Sequence, residues 1–175
     1  MKIPVFFRPE MNAPGNVSYS PSAGKPSAVV ADWLATPAIR DNIEIVAFNP
    51  VDAQTIAQAH DPAYVAGVLA CEVANGFRNR SKEVADSLLY TVGSIVAAAK
   101  HVLREGRPQG EGNVAVSPTS GFHHAHYSHG YGYCTFNGLV VAAMQLKRLG
   151  LAQSVAIFDY DYHYGDGTDD IIQRL

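Results

Sequence analysis

The stretch Ser154-Val-Ala-Ile-Phe-Asp-Tyr-Asp-Tyr-His-Tyr-Gly-Asp-Gly-Thr168 is an apolar run that ends in acids and a histidine. The pattern predicts a buried strand over 154–159 and a tight turn after it. Because alternate residues of an extended chain share a face, Asp159, Asp161 and His163 would project together at the strand's end. An oxygen and a nitrogen ligand two residues apart suit a zinc or iron(II) ion. The plainer alternative is a strand-end turn whose acids are solvated.

A second polar block, residues 118–137, follows another apolar run and contains the adjacent pair His123-His124. Neighbouring histidines suit proton transfer near neutral pH when carboxylates or carbonyls fix their tautomers. Asp159 and Asp166 are available as such partners. A bare His-His pair is more often incidental, so this block becomes specific only together with the first.

Apolar runs that predict strands alternate with longer segments of helical pattern. The strands are expected at 43–48, 113–117 and 154–159, and the helices at 27–34, within 53–74, at 82–104, 136–149 and 168–175. Ser81 and Thr168 are the expected N-caps of two helices, and Gly150 is an expected C-cap. This order predicts a single α/β domain over residues 1–175, with a parallel sheet flanked by helices. The loops 118–132 and 160–167 would then open on one edge of the sheet, where ligands bind.

The composition narrows the class of protein. The chain has 175 residues, of which 47% are hydrophobic and 17% charged, as in a soluble globular domain with a real core. A net charge of −3 gives no electrostatic reason to expect nucleic-acid binding. No apolar run reaches the roughly 20 residues of a membrane span, and the N-terminus makes a poor signal peptide. Two cysteines in unrelated contexts favour a reduced, cytoplasmic protein.

Three side chains near the two blocks receive plainer interpretations. Cys134 has no cue beyond proximity that would make it a nucleophile, and is expected to be a buried structural thiol. His126 and His129 are expected to be loop-exposed histidines at the rim of the site and not additional ligands.

Taken together, the two blocks resemble the histone deacetylase and acetylpolyamine amidohydrolase family. The resemblance lies in the order strand, His-His, Gly-x-Gly-aromatic-Cys-x-Phe-Asn, helix, strand, Asp-x-Asp-x-His-x-Gly-Asp-Gly-Thr. Weaker matches are residues 59–65, which resemble a histidine-and-tyrosine helix of the family, and the small-residue segment 93–99. The resemblance implies an arginase/deacetylase-like fold, of which this chain would be the N-terminal part.

The resemblance also implies a role for each site residue. Asp161 and His163 would be two of three metal ligands, with zinc or iron(II) as the metal. His123 and His124 would be the general acid–base pair, hydrogen-bonded to Asp159 and Asp166 respectively. Gly132 would lie against the acyl-amide chain of the substrate, and Tyr133 would form one wall of the access channel. A structural potassium ion on Asp159, Asp161 and the His163 carbonyl is a further implication.

The chain departs from the family pattern in three ways. Tyr164 replaces a second histidine that is common after the metal-binding one, and Tyr133 stands where phenylalanine is usual. The family also takes its third metal ligand, an aspartate, and its oxyanion-stabilising tyrosine from positions that would lie after residue 175. We therefore expect an incomplete domain.

The function implied by the resemblance is a zinc-dependent amidohydrolase that removes acetyl or related acyl groups from lysine, polyamines or other amines. Its partners would be a small-molecule or acyl-lysine substrate and, in an assembly left open, a second copy of the chain. One alternative is an arginase-type ureohydrolase, whose dinuclear manganese site needs a carboxylate where this chain has Gly165. The other is a truncated, catalytically inactive chain that binds metal without turnover.

Overall fold

The computed structural model describes residues 2–16, 20–104 and 113–175 of the chain. The regular elements in these ranges are two strands, seven α-helices and two short 3-10 helices at Pro9–Met11 and Pro21–Gly24. They are β1 (Ile3–Phe6), α1 (Lys25–Ala35), α2 (Pro37–Arg40), β2 (Ile43–Val46), α3 (Ala53–Ile56), α4 (Pro62–Leu69), α5 (Lys82–Arg104), α6 (Gly138–Arg148) and α7 (Asp166–Ile172).

The sheet is parallel, as predicted, and β1 lies in its middle. β1 pairs with β2 in the register Ile3 to Ile43 through Phe6 to Val46. On the other side of β1, Phe6 N–H donates to the Val116 carbonyl at 2.8 Å, and Val116 N–H donates to the Pro4 carbonyl at 2.9 Å. With helices packed around it, this sheet confirms the expected α/β class. The strand expected at 113–117 is reduced to the single bridge at Val116.

The prediction of a strand at 154–159 is wrong for this structure. None of the described segments forms ladder hydrogen bonds with it, and the side chain of Phe158 is 81% exposed. A strand needs a neighbour to satisfy its backbone groups, and an apolar pattern alone does not supply one. The exposed side chains continue along the segment through Tyr160, Tyr162 and Tyr164.

The helices agree closely with their sequence signals. Ser81 Oγ accepts a hydrogen bond from Val84 N–H at 3.3 Å at the start of α5, as an N-cap does. Gly150 has a φ of +67° just after α6 and closes that helix as predicted. None of the described helices, including the 23-residue α5, is apolar enough to cross a bilayer.

The last helix begins earlier than its sequence suggests. α7 starts at Asp166 with Gly165 as its N-cap, so the prediction that Thr168 is the cap is wrong. The Thr168 hydroxyl accepts a hydrogen bond from Asn137 Nδ2 at 2.9 Å, and it is therefore not free to cap the helix. The consequence for the site is that Asp166 stands in the first turn of α7.

The main core lies between α4, α5 and α6 and packs against the C-terminal end of the polar loop 118–137. Phe136 is 1% exposed and packs edge-on against Tyr64, with ring centroids 5.6 Å apart. The Tyr64 hydroxyl donates to the Thr135 carbonyl at 2.8 Å. Burying each large apolar side chain of this kind contributes about 1.5–3 kcal/mol, so the end of the loop is anchored by the core itself.

His60 connects the same core to the middle and to the C-terminal end of the loop. It is fully buried, and its Nε2 accepts a hydrogen bond from Asn137 N–H at 2.8 Å. Its Nδ1 must therefore carry the proton, and donates to the carbonyls of His126 at 3.0 Å and Tyr127 at 3.2 Å. A neutral imidazole satisfies all three backbone groups.

We expect the stability of the protein to fall on acidification because of His60. Burial lowers the pKa of His60 from 6.5 to about 4. The unfolded chain takes up this proton below pH 6.5 and the folded chain does not, so unfolding becomes easier as the pH falls from 6.5 to 4. The loss amounts to about 3 kcal/mol over that window.

Urea unfolding at pH 7 and pH 4.5 measures this loss. His60→Gln, which cannot ionise, should show a smaller difference between the two pH values, whereas the exposed control His129→Gln should retain it. An NMR titration of the His60 ring in the unchanged protein gives the same pKa without a substitution. A ring that protonates near pH 6.5 would contradict the expectation.

Candidate active site

A cleft of about 1110 Å³ opens beside the loop 118–137. Its lining comes from the segment that precedes α5, from the loop 118–137 and from the segment that precedes α7. The first segment contributes residues 76–79, and the loop contributes residues 120–124 and 131–134. The third segment contributes Asp159, Asp161 and His163. The other lining residues are Ser20, Ser22, Lys25 and Leu139. The two polar blocks singled out in the sequence therefore share one cleft.

Each histidine of the adjacent pair is held by a different carboxylate. His123 Nδ1 donates to Asp159 Oδ2 at 2.8 Å, and His124 Nδ1 donates to Asp166 Oδ1 at 2.5 Å. The two rings lie 4.1 Å apart between centroids. Because both Nδ1 atoms are engaged, the Nε2 atom of each ring is left to exchange protons with a ligand in the cleft.

The two supporting acids are kept ionised by hydrogen bonds. The pKa of Asp159 is lowered first by the N–H of Asp161, which donates at 3.0 Å, and then by His123. For Asp166, partial burial raises the pKa, but hydrogen bonds from His124 and the Gly167 N–H lower it by more. Two carboxylates that stay charged can each orient an imidazole and stabilise its protonated form.

The expected metal ligands, Asp161 and His163, lie beside the histidine pair. Asp161 Oδ1 lies 3.1 Å from His163 Nδ1, and His123 Nε2 lies 3.9 Å from the same oxygen. The His163 N–H donates to Asp161 Oδ1 at 2.8 Å, and this bond is the main reason that the pKa of Asp161 is lowered. The pair therefore offers an ionised oxygen and a ring nitrogen side by side.

The spacing of this pair is that of a hydrogen bond, and it is also short enough for both atoms to reach one ion. Two ligands on bonds of ~2.0 Å at the tetrahedral angle stand about 3.3 Å apart, close to the 3.1 Å found here. Residues 2–16, 20–104 and 113–175 contain no group of three or more histidines, cysteines or acids arranged to hold a metal. The described residues thus place the two expected ligands, Asp161 and His163, next to each other.

Gly132 and Tyr133 form a strained strap against the histidine pair. Both have positive φ, +53° and +66°, and a Cβ on Gly132 would lie 2.4 Å from His124 Cδ2. Only glycine brings the backbone this close to the ring. The Tyr133 ring turns to the other side and lies 5.8 Å from the Phe77 ring.

The segment 76–79 is a part of the cleft to which the sequence analysis assigned no role. Its backbone crosses the strap so closely that a Cβ on Gly76 would lie 2.2 Å from the Cys134 carbonyl oxygen. Tyr133 N–H donates to the Gly76 carbonyl at 3.1 Å. No spacing in the sequence links these two segments, and only the paired glycines Gly76 and Gly130 hint at a close crossing.

Three further side chains of the loop, His126, His129 and Cys134, differ in how far they follow the sequence predictions. His129 is exposed, but His126 is half-buried between Asp166 and Asp170, at 3.5 and 3.6 Å, so its expected exposure is wrong. Neither histidine is among the lining residues. Cys134 is 3% exposed, and burial raises the pKa of its thiol to about 11, which makes it a poor nucleophile.

Comparisons with known proteins place the chain in a family. The histone deacetylase domain family matches residues 21–174. An uncharacterised protein of Picosynechococcus is 31% identical over 127 residues, which cover 70% of this chain and 40% of that protein. Chloroplastic histone deacetylase 14 of Arabidopsis thaliana is 28% identical over 156 residues, or 77% of this chain and 35% of that protein.

A solved structure has the same fold. The acetylpolyamine aminohydrolase of Burkholderia pseudomallei superposes with a TM-score of 0.78 at 17% identity, over 98% of this chain and 60% of that one. The chain thus spans 35–40% of the length of the two relatives above. From the match over residues 21–174, the chain belongs to the histone deacetylase family.

Proposed function

We propose that the protein is a metal-dependent amidohydrolase that removes acetyl or related acyl groups from lysine, polyamine or other amine substrates. The observation that carries the proposal is the double dyad, His123 with Asp159 and His124 with Asp166, beside the pair Asp161 and His163. Family membership supports the class of reaction. This chain would be part of one deacetylase domain, and the rest of that domain would correspond to the additional residues of the longer relatives.

Asp161 and His163 would hold the metal, zinc or iron(II), with a further ligand from outside the described residues. Such an ion, when bound, polarises the amide carbonyl and lowers the pKa of a coordinated water. The carboxylates of Asp159 and Asp161 with the His163 carbonyl would hold a structural potassium ion. Their oxygen atoms are the kind of ligand that hard cations prefer.

The histidine pair would move the protons of the hydrolysis. One Nε2 takes a proton from the attacking water as the carbon–oxygen bond forms, and a protonated ring then delivers a proton to the nitrogen as the carbon–nitrogen bond breaks. The products are a carboxylic acid and a free amine. Asp159 and Asp166 stabilise whichever ring carries the extra proton. Gly132 and Tyr133 line the path of the acyl-amide chain.

The arginase-type alternative is disfavoured by Gly165. A dinuclear site needs a further carboxylate at this position, but Gly165 has no side chain, and a Cβ there would lie 3.1 Å from Asp159 Oδ2. We therefore favour a mononuclear site. The free thiols Cys71 and Cys134 suit a cytoplasmic setting, which we include in the proposal.

Amide hydrolysis by the full-length protein tests the proposal. The protein is loaded with zinc or iron(II) and supplied with Nε-acetyl-lysine peptides and N-acetylputrescine, and amine release is followed. We expect turnover that a chelator removes and added metal restores. Metal analysis should find one bound metal ion per protein chain. Turnover that is indifferent to chelation would overturn the proposal. One bound metal with no hydrolysis of any acyl amine would favour the non-catalytic alternative.

A further inference from the structure

The charges along the cleft are separated by position. Its charged lining residues other than histidine are the acids Asp159 and Asp161, which belong to the double dyad and the metal pair, and the cations Lys25 and Arg78. Both cations are exposed. In the parts of the chain that the structure describes, no acid lines the cleft beside them. The positive charge therefore comes from Lys25 and the segment that precedes α5, and the carboxylates come from the segment that precedes α7.

We infer that Arg78 selects acyl amines that carry a carboxylate on the amine-bearing part of the molecule. This inference rests on the proposed function, because it takes the reacting amide to lie at the histidine pair. It distinguishes N-acyl amino acids and acidic peptides from acylated polyamines. A polyamine would place an ammonium group towards the positive charge of the Arg78 guanidinium.

The upper limit on the distance from the histidine pair to Arg78 lies within the span of a lysine chain that ends in a carboxylate. The Tyr131 ring lies 5.7 Å from the His124 ring, and the Arg78 guanidinium carbon lies 6.0 Å from the Tyr131 ring. Arg78 is therefore no more than 12 Å from His124. From bond lengths near 1.5 Å, an extended lysine side chain places its Cα about 6 Å from the amide nitrogen. A carboxylate on that Cα comes within reach of the guanidinium.

The backbone of Arg78 is fixed before any substrate arrives. Its φ is +60°, and its N–H donates to the Asn75 carbonyl at 2.9 Å. Asn75 is buried, and its Oδ1 accepts from the Phe77 N–H at 2.9 Å. The neighbouring Gly76 N–H donates to Thr135 Oγ1 at 3.0 Å, which ties the segment to the loop 118–137. Because the backbone is already ordered, ligand binding to Arg78 does not have to order this segment as well.

The guanidinium is also available. Within the described ranges of the chain, Arg78 makes no ion pair, and its ring contact with Tyr131 leaves the edge of the guanidinium open. Its planar edge binds a carboxylate through two parallel hydrogen bonds, a geometry that lysine does not match. Because the site is exposed, solvent screening limits the gain to about 5-fold in affinity.

The test compares substrates that differ in one charge. Nα-formyl-Nε-acetyl-lysine with a free carboxylate is compared with its carboxamide, and N-acetylputrescine gives the polyamine case. We expect kcat/KM of the full-length, metal-loaded protein to be about 5-fold higher for the carboxylate, and the preference to shrink in high salt. Arg78→Gln should bring the ratio towards 1, chiefly by raising KM for the carboxylate, and Arg78→Lys should keep part of it.

Arg80 provides a matched control, because it is exposed on the same segment and does not line the cleft. Arg80→Gln should leave the ratio unchanged. Peptides with Asp or Asn after the acetyl-lysine identify the source of the carboxylate. A preference confined to the free amino acid indicates a small molecule, and a preference that extends to the Asp peptide indicates an acidic peptide.

Calorimetric binding of the same compounds separates this inference from the proposed function. A carboxylate preference in binding that Arg78→Gln removes, without hydrolysis of any compound, supports the inference and contradicts the proposed function. Hydrolysis with equal kcat/KM for carboxylate and carboxamide, or with N-acetylputrescine preferred, overturns the inference and leaves the proposed function standing. A carboxylate preference that Arg78→Gln leaves intact would also overturn the inference and leave the proposed function standing.

Discussion

Replacement of His124 by alanine in the full-length protein is expected to lower turnover by about 10²–10⁴-fold, the usual contribution of general acid–base catalysis. Metal affinity should stay close to that of the unchanged protein. The reason is the division of contacts in the cleft. His124 Nδ1 is engaged by Asp166, whereas Asp161 and His163, the proposed metal ligands, lie on a separate segment.

The measurement combines steady-state kinetics with metal content determined on the same samples. His129→Ala serves as the control, because His129 is exposed and does not line the cleft, and it should retain activity. If the His124→Ala protein loses metal in proportion to its activity, then His124 is a ligand. The assignment of the proton-transfer role to the pair would then be wrong.

The second large effect is expected from Asp161→Ala, which should abolish stoichiometric metal binding. Losing a group that only orients a metal ligand costs about 10–100-fold in affinity, so losing the ligand itself should cost more than about 100-fold. Asp161 is also the residue whose Oδ1 organises His163 through two contacts, at 2.8 and 3.1 Å. Its removal would therefore leave His163 both unpaired and misplaced.

Equilibrium binding of zinc, read by metal analysis and by competition with a chelating dye, measures this loss. Asp169→Ala is the matched control, since Asp169 is an acid of the same region that accepts a hydrogen bond from Gln173 and does not line the cleft. It should bind metal normally. An Asp161→Ala protein with unchanged stoichiometry and affinity would remove Asp161 from the site.

Local signals in the sequence predict most of the helices and part of the site. The cap at Ser81 and the closing glycine Gly150 depend only on residues within a few positions, and both were predicted correctly. The carboxylate partners of His123 and His124 were anticipated from the family resemblance and from the edge shared by parallel strands. The catalytic and metal-binding roles of these residues stay predictions.

The features that the sequence did not reveal depend on distant partners. The apolar run 154–159 has the composition of a strand, but a strand forms only where a neighbour accepts its hydrogen bonds. Thr168 has the composition of a cap, but its hydroxyl is bound to Asn137, 31 positions away. The segment 76–79 reached the cleft because its backbone crosses the strap at Gly76, and a pattern read along one segment does not contain that crossing.

The crossing of the two segments at Gly76 and Gly130 has a consequence for how the cleft can diversify. A Cβ on Gly130 would lie 2.7 Å from Gly76 N, and a Cβ on Gly76 would clash with the Cys134 backbone. A larger residue at either position therefore cannot be accommodated by keeping glycine at the other. In a randomised library both positions should be recovered as glycine, whatever substrate is used for selection. Variation would then concentrate in the side chains that the fixed crossing presents, Phe77, Arg78, Tyr131 and Tyr133. A fixed backbone crossing of this kind lets the substrate preference change by single substitutions without loss of the reaction centre.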